Sequence, residues 1–379
     1  MTAPLVIIGS GLAAYSVARD WRRLDGETPL VIITAEDGDF YSKPLLSTSL
    51  AKSKSLDELV IASGDQQGEQ FNAKLLAHTC VTRIDPESKT VFYEGGKQHY
   101  SQLVLAQGGQ AIRAPLGGDA VDAVISMNSL MDYRQLQPQL KGCNRVAVLG
   151  AGLVGMELAN DMQAIGIQVT VIDPCDQPLK ALLPSELGAV VEGVFRDASV
   201  DLRLGCTAKA IDHSGEGYRV TLSTDTCLEV DLVISAIGIR PEVALAQSAG
   251  IQVEHGIVVD EYCETSVKGI FALGDCAEVM GQWRPHIMPI MHCSRTVAHG
   301  LSGKKVPLHY PVMPVVVKTP LCPMASVLPP TKKQGEWKVD GEGKHLRALF
   351  LDDTGATCGF ILLGDRIEER AECIKLLNP

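Results

Sequence analysis

Two short runs carry the residue types and spacing that hold phosphate. The first is Gly9-Ser10-Gly11-Leu12-Ala13-Ala14, preceded by the apolar Val6-Ile7-Ile8; the second is Gly150-Ala151-Gly152-Leu153-Val154-Gly155, preceded by Val146-Ala147-Val148-Leu149. Each reads as Gly-x-Gly-x-x-small between an apolar strand and a helix. Gly9 and Gly150 permit the tight strand-to-helix turn. Gly11 and Gly152, lacking side chains, let a pyrophosphate approach the backbone. Ala14 and Gly155 let the helix lie close to its strand. Ser10 and Leu12 belong to the same cradle, and the free N–H groups of the helix start face the phosphates. A second apolar run comes after each turn at βαβ distance, Leu30–Ile33 and Val169–Ile172. One such turn is a weak signal. Two in one chain imply two dinucleotides, one in each of two domains.

An acidic side chain at the end of the second strand hydrogen-bonds a ribose hydroxyl in this arrangement. After the first repeat Glu36 is expected in that role, with Thr34 the alternative if the register shifts. After the second it is Asp173. A 2′-phosphate would call for arginines there, but the chain continues Pro-Cys-Asp-Gln-Pro, so NADH is the expected donor. Asp275 closes the run Ile270-Phe-Ala-Leu-Gly274-Asp275 and places a carboxylate beside a central sheet, or else caps a helix. Glu157, two residues past Gly155, points inward by register, or else satisfies its helix dipole. Lys43 reads on residues alone equally well as a solvated loop lysine. Lys318 is expected as a charge inside an apolar strand, which implies a partner or a snorkelling edge position.

The elements that must position these groups need a large α/β scaffold. The 379 residues exceed one core, so two or three domains are expected. A hydrophobic share of 46% with 21% charged residues is that of a soluble globular protein. A net charge of −11 argues against nucleic-acid or anionic-membrane binding. No apolar run is long enough to span a bilayer, so no membrane insertion is expected. The 11 scattered cysteines, without a signal sequence, imply reduced thiols and a cytoplasmic location. No two of them are spaced Cys-x₂-Cys or Cys-x₄-Cys, residues 37–79 hold none, and no metal motif is present.

Along the chain, Cys80–Ile84 and Thr90–Tyr93 read as a hairpin and Leu103–Ala106 as a buried strand. Pro184–Asp197 reads as a helix, followed by strands near Leu202, Tyr218–Leu222 and Leu232–Ile237, with Gly238 closing the second unit. Gly256–Asp260 and Gly269–Gly274 return the chain to the first domain. Prolines 311, 314, 320, 323, 329 and 330 mark a change of texture. Beyond them Glu336–Asp340, Leu346–Leu351 and Cys358–Leu363 read as three strands and Ile367–Leu377 as a closing helix. The expected fold is α/β: two Rossmann-like three-layer domains plus a small C-terminal α+β domain. The expected boundaries are 1–112 with 241–310, 113–240, and 311–379.

The two glycine turns in this order, with Ile270–Ala277 near the end, resemble the FAD- and NAD(P)-dependent pyridine nucleotide reductases over nearly the whole chain. Tyr41-Ser-Lys43-Pro44, Val317-Lys318-Thr-Pro320 and the short C-terminal domain resemble bacterial NADH:rubredoxin reductases. The resemblance implies FAD in the first, discontinuous domain and NADH in the second. It implies that Asp275 accepts hydrogen bonds from the ribityl chain, that Val81 meets adenine through its backbone, and that the helix from Ile287 points at the flavin's pyrimidine edge. It sets Lys43 against the isoalloxazine and Glu157 between the two rings. Gln107 departs from the family, which usually has Thr there. Without a redox dithiol, electrons leave the flavin directly: hydride in from NADH, two single-electron steps out to rubredoxin. A role in supplying an alkane hydroxylase is implied further. The alternatives are a reductase for a ferredoxin, or for a rubredoxin domain of a nitric-oxide or oxygen detoxifying system, and a non-catalytic dinucleotide-bound regulatory protein.

Overall fold

The computed structural model describes residues 3–52 and 54–377. In chain order, the first repeat gives β1 (Leu5–Ile8), α1 (Leu12–Arg22) and β2 (Leu30–Ile33), followed by β3 (Ala73–Leu76) and β4 (Gln102–Leu105). The second begins with β5 (Ile125–Ser126) and continues through β6 (Arg145–Leu149), α2 (Leu153–Ala164), β7 (Gln168–Asp173), α3 (Ser185–Asp197), β8 (Asp201–Leu204) and β9 (Leu232–Ser235). The chain then supplies β10 (Ile270–Ala272) and α4 (Ile287–Leu301). It ends with β11 (Val315–Val317), β12 (Met324–Val327), β13 (Gly335–Glu342), β14 (His345–Asp352), β15 (Thr357–Leu363) and α5 (Arg370–Leu377).

These elements fall into two compact units. The first comprises residues 1–42, 56–110 and 239–311; the second comprises 43–55, 111–238 and 312–379. The segment 43–55, expected with the first domain, therefore packs in the second unit. The physical reason is that buried side chains of α2 take up its hydrogen-bond donors.

In the first unit a five-stranded sheet has the order β10-β4-β1-β2-β3, with every pair parallel. β1 and β2 are buried along their whole length, as strands covered on both faces must be. Each fully buried Val, Leu or Ile here stabilises by roughly 1.5–3 kcal/mol relative to exposure. α1 and α4 lie together, tied by a buried hydrogen bond of 2.7 Å from Ser294 Oγ to Asp20 Oδ2.

The second unit repeats the plan, with a parallel sheet in the order β5-β9-β6-β7-β8. Its C-terminal part is an antiparallel sheet of order β11-β12-β15-β14-β13 capped by α5. Sequence patterning finds the last three of those strands and, around Lys318, the apolar strand that is β11. β12 is missed because prolines confine it to a short stretch. Lys318 falls just past β11, a correction to its placement inside that strand. The closing helix also starts later than expected, at Arg370, after a 3₁₀ turn over Gly364–Glu369.

Candidate functional site: two dinucleotide cradles and a buried polar helix face

Both glycine turns have the backbone their sequences require. Gly9 has φ +117° and a Cβ there would sit 2.2 Å from Ala106 O; Gly150 has φ +106° and its Cβ would sit 2.6 Å from Ala236 O. By contrast, a Cβ on Gly11 or Gly152 would meet no atom within 4 Å. Each of these two residues is the N-cap of its helix, extended, with no side chain capping the helix N–H groups. An open cradle in front of unpaired helix donors fits a pyrophosphate in both units.

In the first unit Ser10 Oγ lies 2.8 Å from Thr34 Oγ1, and Thr34 Oγ1 also accepts from the Glu36 N–H at 3.2 Å. Thr34 directly follows β2, as Asp173 ends β7. Since Ile8 pairs with Ile33 and Leu149 with Ile172, the strand register makes Thr34 the counterpart of Asp173. Glu36 lies two residues further on, exposed at the rim. Leu12 opens α1, and Ala14 is fully buried under it. Val81 begins the hairpin strand Val81–Asp85 and packs on the first unit's core.

Asp275 stands in the 3₁₀ turn Gly274–Cys276 that comes after β10. Gly274, at φ +81°, brings this turn against Ala13 of α1. Trp283 Nε1 donates to Asp275 O at 2.8 Å. Ile287 is the first residue of α4, whose N-cap His286 offers no side-chain cap. Burial lowers the His286 pKa below its usual value, with the Asp275 charge opposing. Gln107 joins the two loops: its N–H lies beside the Gly9 turn and bonds to Cys276. Gln107 Oε1 is buried without a hydrogen-bond partner among the described residues. An orphan acceptor is costly in a folded protein, and a bound group carrying hydroxyl or N–H donors would satisfy it. A flavin with its ribityl chain has such donors, so the residues present fit FAD.

In the second unit the Asp173 carboxylate accepts from Ala151 N–H at 2.6 Å and Cys175 N–H at 2.7 Å. It thus braces the glycine turn while standing at the strand end where a ribose would lie. Gly155 must be glycine, since a Cβ would sit 1.9 Å from Gly150 O. Gly238, at φ +109°, succeeds the Ala236–Ile237 segment that packs on Gly150.

Glu157 is 2% exposed on α2 and accepts from Ser47 Oγ at 2.5 Å and Lys318 N–H at 2.8 Å. Burial raises its pKa above its ordinary value, against the pull of those two bonds. Lys43 opens the 3₁₀ turn Lys43–Thr48, and Lys318 Nζ donates to Pro44 O at 3.3 Å. The two lysines expected to attend the flavin thus sit on segments joined to each other and to one helix. Sequence reasoning missed two further residues of that helix, Asn160 and Asp161. Both are buried and both accept hydrogen bonds from distant backbone. Their spacing from Glu157, at i+3 and i+4, marks a single polar stripe on an otherwise apolar helix, a signal available from sequence.

No group of metal-ligating side chains occurs among the described residues. Cys263 and Cys293, 30 positions apart, are brought into thiol–thiol hydrogen-bond contact inside the first unit, and Cys293 Sγ lies 3.1 Å from Tyr310 Oη.

Residues 3–295 match the family model of the pyridine nucleotide-disulphide oxidoreductases. The chain belongs to that family. Residues 307–377 match a second model, the rubredoxin binding C-terminal domain. The chain is 40% identical to a rubredoxin-NAD(+) reductase of Alcanivorax borkumensis, over 99% of this chain and 98% of that one. It is also 40% identical to a nitric oxide reductase FlRd-NAD(+) reductase of Aeromonas hydrophila, over 96% and 93%. Among solved structures, the covalent putidaredoxin reductase–putidaredoxin complex is similar at a TM-score of 0.90 and 26% identity, covering 99% of this chain and 93% of that one. This pyridine nucleotide-disulphide oxidoreductase uses FAD and NADH.

Proposed function

We propose that the enzyme carries electrons from NADH through FAD to rubredoxin, with residues 1–112 and 241–310 as the FAD module except for the segment 43–55, which packs in the second unit, 113–240 as the NADH module and 311–379 as the carrier-recognition module. The observation that carries this reading is the joining of two open dinucleotide cradles to a C-terminal rubredoxin binding domain in one chain. FAD, when bound, accepts two electrons together and releases them one at a time. The protein's own residues bind and orient. Gly9, Ser10, Gly11, Leu12 and Ala14 hold one pyrophosphate, and Gly150, Gly152 and Gly155 the other. Thr34 or Glu36 meets the first ribose, and Asp173 the second. Val81 meets the adenine through its backbone; Asp275, Gln107 and the α4 N-terminus at Ile287 hold the flavin moiety; Lys43, Lys318 and Glu157 attend its ring, with Gly238 lining the NADH side. Glu157, held by Ser47 and the Lys318 amide, keeps a fixed carboxyl group on the inner face of α2.

The sequence resemblance implies an alkane hydroxylase as the downstream consumer. The Aeromonas relative favours a second reading, in which the acceptor is a rubredoxin domain of a nitric oxide reductase system. No helix among the described residues is long and apolar enough to cross a membrane, and a cytoplasmic enzyme is part of the proposal. The test is stopped-flow mixing with NADH, then reduction assays with purified rubredoxin, flavorubredoxin and ferredoxin. Bleaching of the visible flavin bands and the fastest turnover with rubredoxin are expected. Absence of bleaching would leave only the regulatory alternative, and preferential turnover with either other carrier would move the assignment to it.

A further inference from the structure

We propose that Asp161, with Asn160 beside it, is a positioning residue: it clamps the Lys43-bearing segment, and Asn160 the segment after Lys318, onto the helix that receives the NADH phosphates. The functional half of this inference rests on the proposed attendance of Lys43 and Lys318 on the flavin.

Two segments far apart in sequence meet on one face of α2. Asp161 Oδ2 accepts from Ala51 N–H at 2.8 Å, and the same carboxylate accepts from the Leu50 N–H. Asn160 Oδ1 accepts from Leu321 N–H at 3.0 Å. One turn earlier Glu157 accepts from Ser47 Oγ and Lys318 N–H. The ring closes where Lys318 Nζ reaches Pro44 O. Among its described residues the segment 43–55 has one 3₁₀ turn, Lys43–Thr48, as its regular structure, so these side-chain acceptors stand in for sheet or helix partners of its amides. A carboxylate suits the place because it can take two adjacent N–H groups at once.

Asp161 is 6% exposed. A buried carboxylate is retained against its desolvation cost only where its bonds are good, and here they go to backbone that carries functional side chains. Asp161 lies nine residues along α2 from Gly152, away from the cradle of its own unit; it acts through Lys43 and, with Asn160, Lys318. Movement of α2 when NADH is bound at its N-terminus would thus move both lysine segments with it.

The test is amide hydrogen exchange on the FAD-loaded protein, with NADH-driven flavin reduction measured on the same samples. The variants are Asp161→Ala, Asp161→Asn and, as a tie elsewhere in the same unit, Ser326→Ala, which loses the bond from Ser326 Oγ to Leu182 O. In Asp161→Ala the Leu50 and Ala51 amides should exchange about tenfold faster or more while α2 keeps its protection. Asp161→Asn, which retains one acceptor, should recover most of that protection. Ser326→Ala should leave Leu50 and Ala51 unchanged. The rate constant for flavin reduction should fall about tenfold in Asp161→Ala, with the KM for NADH and the flavin-to-protein ratio held within twofold. If Asp161→Ala does not fold, Asp161→Ser, too short to reach both amides, serves in its place. Unchanged exchange at Leu50 and Ala51, or loss of α2 protection along with them, overturns the clamp. Faster exchange with flavin reduction unaltered overturns its functional half, and with it the placing of the lysines, while leaving the rubredoxin assay untouched.

Discussion

Counting from the two glycine turns sets the helices α1 and α2 side by side. Gly9 matches Gly150, so Ser16 matches Glu157 and Asp20 matches Asp161. Both aspartates are buried, at 7% and 6% exposure, yet they do different things. Asp20 accepts from Ser294 Oγ of α4 and pairs with Arg19 at 3.0 Å and Arg23 at 3.6 Å, joining helix to helix. Asp161 instead accepts backbone amides of an irregular segment. At the third turn position Ala14 suffices in the first repeat, but Gly155 is required in the second. The phosphate cradle is thus the shared part of the repeat. Beyond the cradle, each helix carries the polar residues that its own packing neighbours require.

The largest effect that would sharpen this comparison comes from exchanging the small residues. A methyl on Gly155 would sit 1.9 Å from Gly150 O, so Gly155→Ala should cost about 3 kcal/mol and loosen the second unit. Ala14→Gly, where no clash exists, should cost only about 1 kcal/mol through backbone entropy. Urea denaturation of each variant measures both. Equal costs would mean that the two helices approach their strands equally closely.

Next come the open glycines, where binding and not folding should suffer. Gly11→Ala and Gly152→Ala should each alter stability by less than about 0.5 kcal/mol, because the added methyl meets only open space. Gly11→Ala should weaken FAD retention about tenfold or more, and Gly152→Ala should raise the KM for NADH by a similar factor. Gel filtration with flavin absorbance and steady-state kinetics separate the two. The reverse pattern would exchange the cofactors between the units.

The strand ends differ next. Asp173→Ala should shrink the preference of NADH over NADPH about tenfold, measured as the ratio of kcat/KM values. Thr34, its counterpart, carries no charge, so Thr34→Ala should leave that ratio unchanged and affect only FAD retention. Equal wild-type constants for the two donors would remove Asp173 from the ribose site.

How much of this the sequence carries depends on the range over which each signal acts. Both glycine turns and their strands are local patterns, read directly from Gly9–Ala14 and Gly150–Gly155. Asp275 is visible because an apolar run ends on it. The choice between Thr34 and Glu36 needs the pairing of Ile8 with Ile33, which no spacing along one strand reveals. Asp161 catches Ala51 across 110 positions, and Cys263 meets Cys293 across 30; such contacts arise from chain topology and leave no period behind. β12 escapes a reading of pattern because Pro323 and Pro329 bound a run too short to show alternation.

The smallest effect concerns Ser16 against Glu157, one position that titrates in only one repeat. Burial raises the Glu157 pKa, while Ser47 Oγ and the Lys318 N–H favour its charged form and Asp161 disfavours it. In the unfolded chain the group returns to the ordinary carboxylate range. Between those two values the folded protein binds more protons than the unfolded one, so stability falls as pH rises through the window. The contribution is fully present below the unfolded pKa and lost above the folded one. Glu157→Gln keeps an oxygen to accept from Lys318 and an amide to donate to Ser47, so the bonds survive while the titration disappears. The variant should therefore show a shallower fall of stability across this window and be more stable than wild type at neutral pH. Asp161, whose pKa burial also raises, leaves a residual slope of the same sign in the variant. Ser16→Ala in α1, where Ser16 Oγ lies 3.5 Å from Met291 Sδ, should shift stability equally at every pH. Urea denaturation of the apoprotein from the carboxylate range to neutrality reads all three curves. A Glu157→Gln curve parallel to wild type would mean that the buried carboxyl of α2 carries no proton linkage and that the slope comes from other groups.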